Sequence, residues 1–209
     1  MMRAFGDATR RNIEEACASF ARLPDAAGPS ALKRAAVVLA LTASHDGDDT
    51  AFLLTRRASS LRSHRGQWAL PGGRCDAGET PVEAALRELD EELALKLPAD
   101  AVLGLLDDYP TRSGYLITPV VVWASSSDAI VPNPDEVASV HRIALDTIER
   151  DDAFDFTAIP ESARRVIRFH HQMSLIHAPT AALIYQFREL LAGRQTRVAD
   201  LEQPVFAWK

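Results

Sequence analysis

Cysteine is scarce in this chain. Among 209 residues only Cys17 and Cys75 occur, far apart and in no C-x-x-C or cysteine/histidine spacing. The sequence therefore offers neither a disulfide framework nor a cysteine-based zinc site. A reducing compartment is the simplest setting for such a chain, and we expect a cytoplasmic location.

The chain also lacks an excess of positive charge and any long apolar run. Its 29 acidic and 23 basic residues give a formal net charge of -6, which argues against nucleic acid as a partner, because that binding depends on neutralising many phosphates. No run approaches the roughly 20 apolar residues of a membrane span, and residues 6–15 are too polar for a secretory signal. We therefore expect a soluble protein with no membrane partner.

Hydrophobic periodicity predicts an α/β protein with helices around a central mixed β-sheet. The predicted helices are 7–23, 81–95, 160–171 and 179–191, and the predicted strands are 35–43, 51–55, 68–70, 102–106, 117–124 and 139–144. Turn residues 45–49 join the first two strands into a β-hairpin. We expect an N-terminal helix and linker (1–30), a main domain that includes the C-terminal helices (31–195) and a tail (196–209).

The helix at 81–95 has the clearest local signals. Thr80 is placed as its N-cap, Pro81 as its first residue, and Glu83 completes a capping box. At about 100° per residue, the apolar side chains share one face and an acidic set occupies an arc of roughly 100° on another. The acidic set consists of Glu88, Glu91 and Glu92.

Like charges so close together repel one another, so an ordered arrangement needs something that offsets the repulsion. Several hard carboxylate oxygens suit Mg²⁺ or Mn²⁺. The alternative is a solvated acidic face, which is common on surface helices. The acids by themselves favour the solvated face, and only the wider pattern around them favours a metal site.

That wider pattern consists of Gly73, Glu79, Arg87-Glu88-Leu89, Glu91-Glu92 and Leu95. It resembles the Nudix box of pyrophosphate-cleaving hydrolases. Ala94 stands where the consensus has a glycine that ends the helix, so we expect a cost of about 1 kcal/mol or a slightly shifted helix end. The resemblance implies the Nudix fold, an α/β/α sandwich with flanking helices, for residues 31–195.

The resemblance also implies roles for individual residues. The implied ligands of Mg²⁺ or Mn²⁺ are Glu88, Glu91, Glu92 and the backbone carbonyl of Gly72. Glu79 and Arg87 would form a salt bridge that holds the loop against the helix. Water would attack phosphorus while a glutamate takes its proton. The base is either a helix acid or Glu136 on a distant loop, and an ordinary loop acid is the alternative for Glu136.

The segment before the box is similar to the coenzyme A pyrophosphatases of the superfamily, in residues 53–57, 61–67 and 70–73. Coenzyme A carries a 3'-phosphate besides its diphosphate, and guanidinium groups match phosphate geometry. The implied substrate-binding residues are Arg56, Arg57, Arg62, His64, Arg65 and Gln67. The alternative is an exposed loop whose arginines only keep it soluble.

The sequence thus predicts a Nudix pyrophosphohydrolase. Its first candidate substrate is coenzyme A or a thioester of it, which would give 3',5'-ADP and a 4'-phosphopantetheine product. A second candidate is another nucleoside diphosphate derivative such as ADP-ribose, and a third function is ligand sensing by a catalytically silent Nudix domain. A homodimer is a further expectation, because Nudix domains often pair.

Overall fold

The computed structural model describes residues 3–23, 32–59, 66–125 and 130–207. The helices are α1 Asp7–Ser19, α2 Pro81–Leu93, α3 Leu145–Glu149 and α4 Thr180–Leu191. The strands are β1 Lys33–Ala43, β2 Thr50–Arg57, β3 Trp68–Ala69, β4 Gly72–Arg74, β5 Val102–Leu105, β6 Tyr109–Pro110, β7 Tyr115–Trp123, β8 Val137–Ala144, β9 Phe154–Ile159, β10 Ser162–His171 and β11 Ser174–His177. None of the helices in these ranges has the length and hydrophobicity needed to span a bilayer.

The central sheet is mixed, as the sequence predicts. Strand β1 runs parallel to β7 and antiparallel to β2, with which it forms the predicted hairpin. Strand β8 pairs antiparallel with the other edge of β2, and β5 pairs antiparallel with β7. Beyond the hairpin, β3 pairs with the end of β2 and β4 pairs with the start of β1. Residues 68–74 therefore lie between these two strands, at the end of the sheet where the site is built.

Alternation of side chains along the strands gives the sheet two apolar faces. Val38 and Leu53 face α2 and pack with its Leu89 and Leu93. The next side chains along the strands, such as Leu54, face the other way and pack with α1 and α4. The fold is thus an α/β/α sandwich with a central mixed sheet, and the predicted fold class is confirmed.

The predicted helix at 160–171 is wrong. Residues 162–171 form β10, which follows a turn at 160–161 and pairs antiparallel with β9 and β11 in a second, smaller sheet. Ile167 and Phe169 are fully buried and His171 nearly so, whereas His170 between them is exposed. This period of two is that of a strand. A short run with β-branched residues is ambiguous from periodicity alone, and pairing with the neighbouring strands decided the outcome.

The other predicted helices are present. The N-terminal helix ends at Ser19 rather than Leu23, and Ile13 on its inner face is fully buried in the core. Helix α4 begins and ends within one residue of its predicted bounds. The predicted N-terminal linker, at residues 25–30, lies outside the described residues.

Candidate active site

Helix α2 begins where the capping residues place it. The Thr80 hydroxyl oxygen accepts a bond from the Glu83 N–H at 3.2 Å, and the Thr80 N–H donates to the Glu83 carboxylate at 2.8 Å. Pro81 occupies the first helical position. A fixed first turn fixes the direction of every later side chain, because the helix advances by a constant rotation per residue.

The end of α2 is held by the chain that follows β7. Ala94 adopts the left-handed conformation (φ 52°), and the helix ends at Leu93. Alanine in place of the consensus glycine therefore does not shift the helix end. The N–H groups of Val131 and Asn133 donate to the carbonyls of Leu93 and Glu92 at 2.9 and 2.8 Å. Carbonyls at a helix end need such partners. These bonds dock the 131–136 segment directly beside the acids.

The docked segment brings Glu136 to the helix. Carboxylate oxygens of Glu88, Glu92 and Glu136 lie within 4.8 Å of one another. Glu136 sits on a turn that follows Asn133, and its carbonyl accepts a bond from the Ala58 N–H at 2.8 Å, which ties the turn to the end of β2. The cluster therefore joins a helix, a loop and a strand end that are distant in sequence.

Glu91 lies apart from this cluster. Its side chain is 54% exposed, and its carboxylate accepts a bond from Nη1 of Arg87 at 2.9 Å. The same Nη1 also donates to Glu88 at 3.0 Å. Glu91 and Glu88 thus share a bond to the same guanidinium group. The structure brings Glu88 and Glu92 of the helix together with Glu136, and leaves Glu91 outside the cluster.

Arg87 ties the loop before α2 to the helix. Its Nε and Nη2 donate to the two carboxylate oxygens of Glu79 at 2.9 and 3.0 Å, which is the paired geometry expected for these residues. Nη2 also donates to the carbonyl of Arg74 at 2.9 Å. The pKa of the Glu79 carboxyl is lowered chiefly by the bond from Arg87.

Two glycines let the loop approach the acids closely. A Cβ on Gly73 would lie 2.2 Å from an oxygen of Glu88, so only glycine lets this carboxylate rest on the loop backbone. Gly72 has φ 145°, and a Cβ there would lie 2.3 Å from the carbonyl oxygen of Ala36 in β1. Its N–H donates to Glu92 at 3.3 Å. Gly72, predicted as a ligand through its carbonyl, is thus in contact with the cluster.

The acids of the cluster are buried in surroundings that disfavour their ionised form. Glu92 is only 4% exposed, and burial, followed by the charge of Glu88, raises the pKa of its carboxyl to about 8. Burial also raises the pKa of Glu88, against the bonds from Arg87. Buried carboxylates this close need a compensating cation or a proton. Three hard oxygen donors fit Mg²⁺ or Mn²⁺.

The substrate-binding residues predicted upstream are only partly described. Arg62, His64 and Arg65 lie outside the described residues. Arg56 donates through Nε and Nη2 to the carbonyl of Gly66 at 3.3 and 3.1 Å, and its guanidinium lies 5.4 Å from the centre of the Trp68 ring. Gln67 is exposed.

Arg57 lies near enough to the acid cluster for its charge to lower the pKa of Glu92, against the effect of burial. Its Nε is buried and has no hydrogen-bond partner among the described residues. Successive side chains of a strand point to opposite faces, so Arg56 and Arg57 serve opposite sides of β2.

Asn133 has a role that was not predicted from the sequence. Its side-chain oxygen accepts a bond from the Asp135 N–H at 3.1 Å and shapes the turn that carries Glu136. The Asn-Pro-Asp order at 133–135 is a local signal for such a turn. Strand β11 and the C-terminal segment, which line a cavity with Arg56, were not predicted either, because no local pattern in the sequence indicates that they lie together.

A capped helix of acids at the end of a mixed sheet, with a loop of glycines against it, is the arrangement that the sequence predicts for a metal-dependent hydrolase. The model of the NUDIX domain matches residues 32–162. The uncharacterized Nudix hydrolase NudL of Pectobacterium atrosepticum is 34% identical over 181 residues, covering 83% of this chain and 91% of that protein. The chain belongs to the Nudix family, and it is a pyrophosphohydrolase.

Further similar proteins were found by sequence and by structure. Nudix hydrolase 3 of Caenorhabditis elegans is 40% identical over 107 residues, covering 49% of this chain and 44% of that protein. The crystal structure of the Nudix hydrolase RenU from M. smegmatis is 25% identical with a TM-score of 0.49, covering 77% of this chain and 86% of that chain. Nudix enzymes act on nucleotide derivatives and generally use divalent metal ions.

Proposed function

We propose that this Nudix hydrolase cleaves the diphosphate linkage of coenzyme A or its thioesters and releases 3',5'-ADP and a 4'-phosphopantetheine product. The observation that carries the proposal is the Arg56–Arg57 pair at the end of β2. Neither arginine forms an ion pair with a carboxylate within the described residues. Guanidinium groups left without such partners suit a substrate that carries several phosphates.

Glu88, Glu92 and Glu136 are the first candidates to hold Mg²⁺ or Mn²⁺. Glu91 could join them once Arg87 turns away from it, and the carbonyl of Gly72 is the nearest backbone candidate. When bound, the metal ions supply positive charge to the diphosphate and lower the pKa of coordinated water. The ion pair between Arg87 and Glu79 fixes the loop relative to the helix, so that the ligand side chains keep their orientation.

Glu136 is the candidate general base. Glu92 is almost fully buried, and Glu88 is held by Arg87. Glu136 is as accessible as Glu88 but, unlike Glu88, forms no ion pair with an arginine among the described residues. A base must reach the proton that it removes. Glu136 would accept the proton of the attacking water, while Arg57 would bind the diphosphate that is cleaved.

A panel of substrates tests this proposal. Purified protein would be incubated with Mg²⁺ or Mn²⁺ and coenzyme A, 3'-dephospho-coenzyme A, ADP-ribose or a dinucleotide. We expect release of 3',5'-ADP from coenzyme A, with a lower kcat/KM for the dephospho form. Equal rates on the two forms would remove the reason for coenzyme A, and preference for ADP-ribose would favour the second candidate. A catalytically silent domain would cleave none of them.

A further inference from the structure

A cavity of about 340 Å³ lies on the α4 side of the sheet, beside the end of β2. One wall consists of Arg56, Gln67 and Trp68, which precede the Nudix box. The opposite wall comes from β11, the start of α4 and the C-terminal segment, including Leu175, His177 and Phe206. The Nudix box contributes no side chain to the lining, so this cavity is a second feature next to the acid cluster.

The lining has a marked chemical bias. No aspartate or glutamate of the described chain lines the cavity, although the protein is acidic overall. Among the described residues that line it, Arg56 has the one charged side chain. Phe206 is 60% exposed, and its ring meets His177 edge to face at 5.2 Å. An open aromatic ring near a guanidinium suits a flat, electron-rich base with a phosphate nearby.

Arg56 is held in place by the side chain of Trp68. Its guanidinium stacks over Trp68, and the Trp68 ring meets the imidazoles of His141 and His171 edge to face at 4.6 and 5.3 Å. Thr180 also donates to the Trp68 carbonyl at 3.4 Å. Side chains that pack on one another in this way are fixed before a ligand arrives, which reduces the entropy lost on binding.

The cavity and the acids share one strand end. Arg56 lines the cavity and Arg57 acts on Glu92. Their Cα atoms are only about 3.8 Å apart, and their side chains leave opposite faces of β2. A nucleoside diphosphate that bends over this strand end can therefore contact both sides.

We propose that this cavity binds the nucleoside half of the diphosphate substrate, with the base against Phe206 and His177 and the phosphate-bearing ribose toward Arg56. The proposal rests on the proposed function in taking that nucleoside to be part of the substrate. It assigns specificity to β11 and the C-terminal segment, which lie outside the Nudix box. The remaining half of the substrate would extend past Arg57, away from the cavity.

Two exposed residues of one hairpin provide a matched test. Leu175 lines the cavity and is 47% exposed, whereas Met173 lies at the hairpin turn, is fully exposed and does not line it. Leu175→Glu would add a negative charge to a cavity without carboxylates, and Met173→Glu adds the same charge outside it. Binding of 3',5'-ADP and of 4'-phosphopantetheine would be measured by calorimetry on the full chain with a chelator present.

We expect Leu175→Glu to weaken 3',5'-ADP binding at least about tenfold, as one opposed charge in a partly enclosed site does, and Met173→Glu to leave it unchanged. Phe206→Ala is the second variant, and loss of stacking should weaken the same ligand about fivefold or more. Circular dichroism would show that each variant is folded.

The proposal is overturned if the unmodified protein binds no 3',5'-ADP, if both glutamate variants bind it equally, or if Leu175→Glu affects only 4'-phosphopantetheine. The proposed function fails in a different assay, by the absence of hydrolysis of coenzyme A. If the protein binds 3',5'-ADP in the cavity but cleaves another nucleoside diphosphate, the assignment of the cavity stands and the proposal of coenzyme A as the substrate fails.

Discussion

The acid cluster and the cavity lie on two sides of the same strand end but are specified in different ways. Residues 72–93 carry most of the cluster, with the capping box, both glycines and the helix acids in one continuous stretch. The cavity is assembled from β3, β11, α4 and the C-terminal segment. Chemistry common to a family can reside in one local motif, whereas substrate preference can depend on contacts between distant segments.

The largest expected effect comes from Glu92→Gln. This change removes a buried carboxylate of the cluster with little change in shape, and we expect kcat to fall at least about 100-fold, because the metal loses a ligand. Steady-state hydrolysis with Mg²⁺ would measure the loss. Wild-type rates in the variant would exclude Glu92 from metal binding.

The same variant should be more stable than the wild type without metal at alkaline pH. The pKa of Glu92 is raised to about 8 in the fold, so the folded protein retains a proton that the unfolded chain loses at lower pH. Its contribution to stability is present below the ordinary pKa and is lost as pH rises through about 8. Denaturant unfolding with a chelator should show the difference grow across this range, and a constant difference would contradict it.

A smaller loss is expected for Arg87→Lys. Lysine keeps the charge but cannot contact Glu79 through two nitrogens and also reach Glu88 and Glu91. We expect kcat to fall about 10- to 100-fold, as for loss of a residue that orients ligands. Arg150→Lys is the matched control, because its ion pair with Asp152 is exposed and lies far along the chain. Similar losses in both variants would argue against an orienting role.

On the cavity side, His171→Phe should change how the free energy of unfolding depends on pH under acidic conditions. Burial, together with His141, lowers the pKa of His171, and burial, followed by Arg56, lowers that of His141. Protons therefore bind the unfolded chain more tightly. The stability these neutral imidazoles provide is present above pH of about 6.5 and is lost as pH falls through their lowered pKa values.

Phenylalanine at 171 cannot take a proton, so the variant should lose less stability than the wild type as the pH falls below about 6.5. Urea unfolding at a series of pH values would measure this. Parallel curves for the two proteins would show that His171 does not titrate there.

The smallest effect is expected for Ala94→Gly. Ala94 has φ 52° at the end of α2, a conformation that glycine adopts without steric cost. We expect a gain of about 0.5–1 kcal/mol in the free energy of unfolding, measured by denaturant titration. Gln172→Gly makes the same comparison in the β10–β11 hairpin, where φ is 51°. No gain in either variant would mean that the left-handed conformation costs little here.

Much of the cluster could be predicted because its signals are local. Thr80, Pro81 and Glu83 define the helix start, and rotation along the helix then places the acids. Glu136 could be named as a candidate, but its distance from the helix could not be known. Bonds from Asn133 and Val131 to the last carbonyls of α2 decide that it joins Glu88 and Glu92 in place of Glu91.

The sequence by itself determined the family, the hairpin of β1 and β2 and the course of α2, because capping, turn chemistry and helical rotation act over a few residues. Only the tertiary structure decided that residues 162–171 form a strand and that β11 and Phe206 meet Arg56 across a cavity. Those outcomes depend on which distant segments pair and pack. The local order of residues does not specify the partner of a strand or the distant residues that line a cavity.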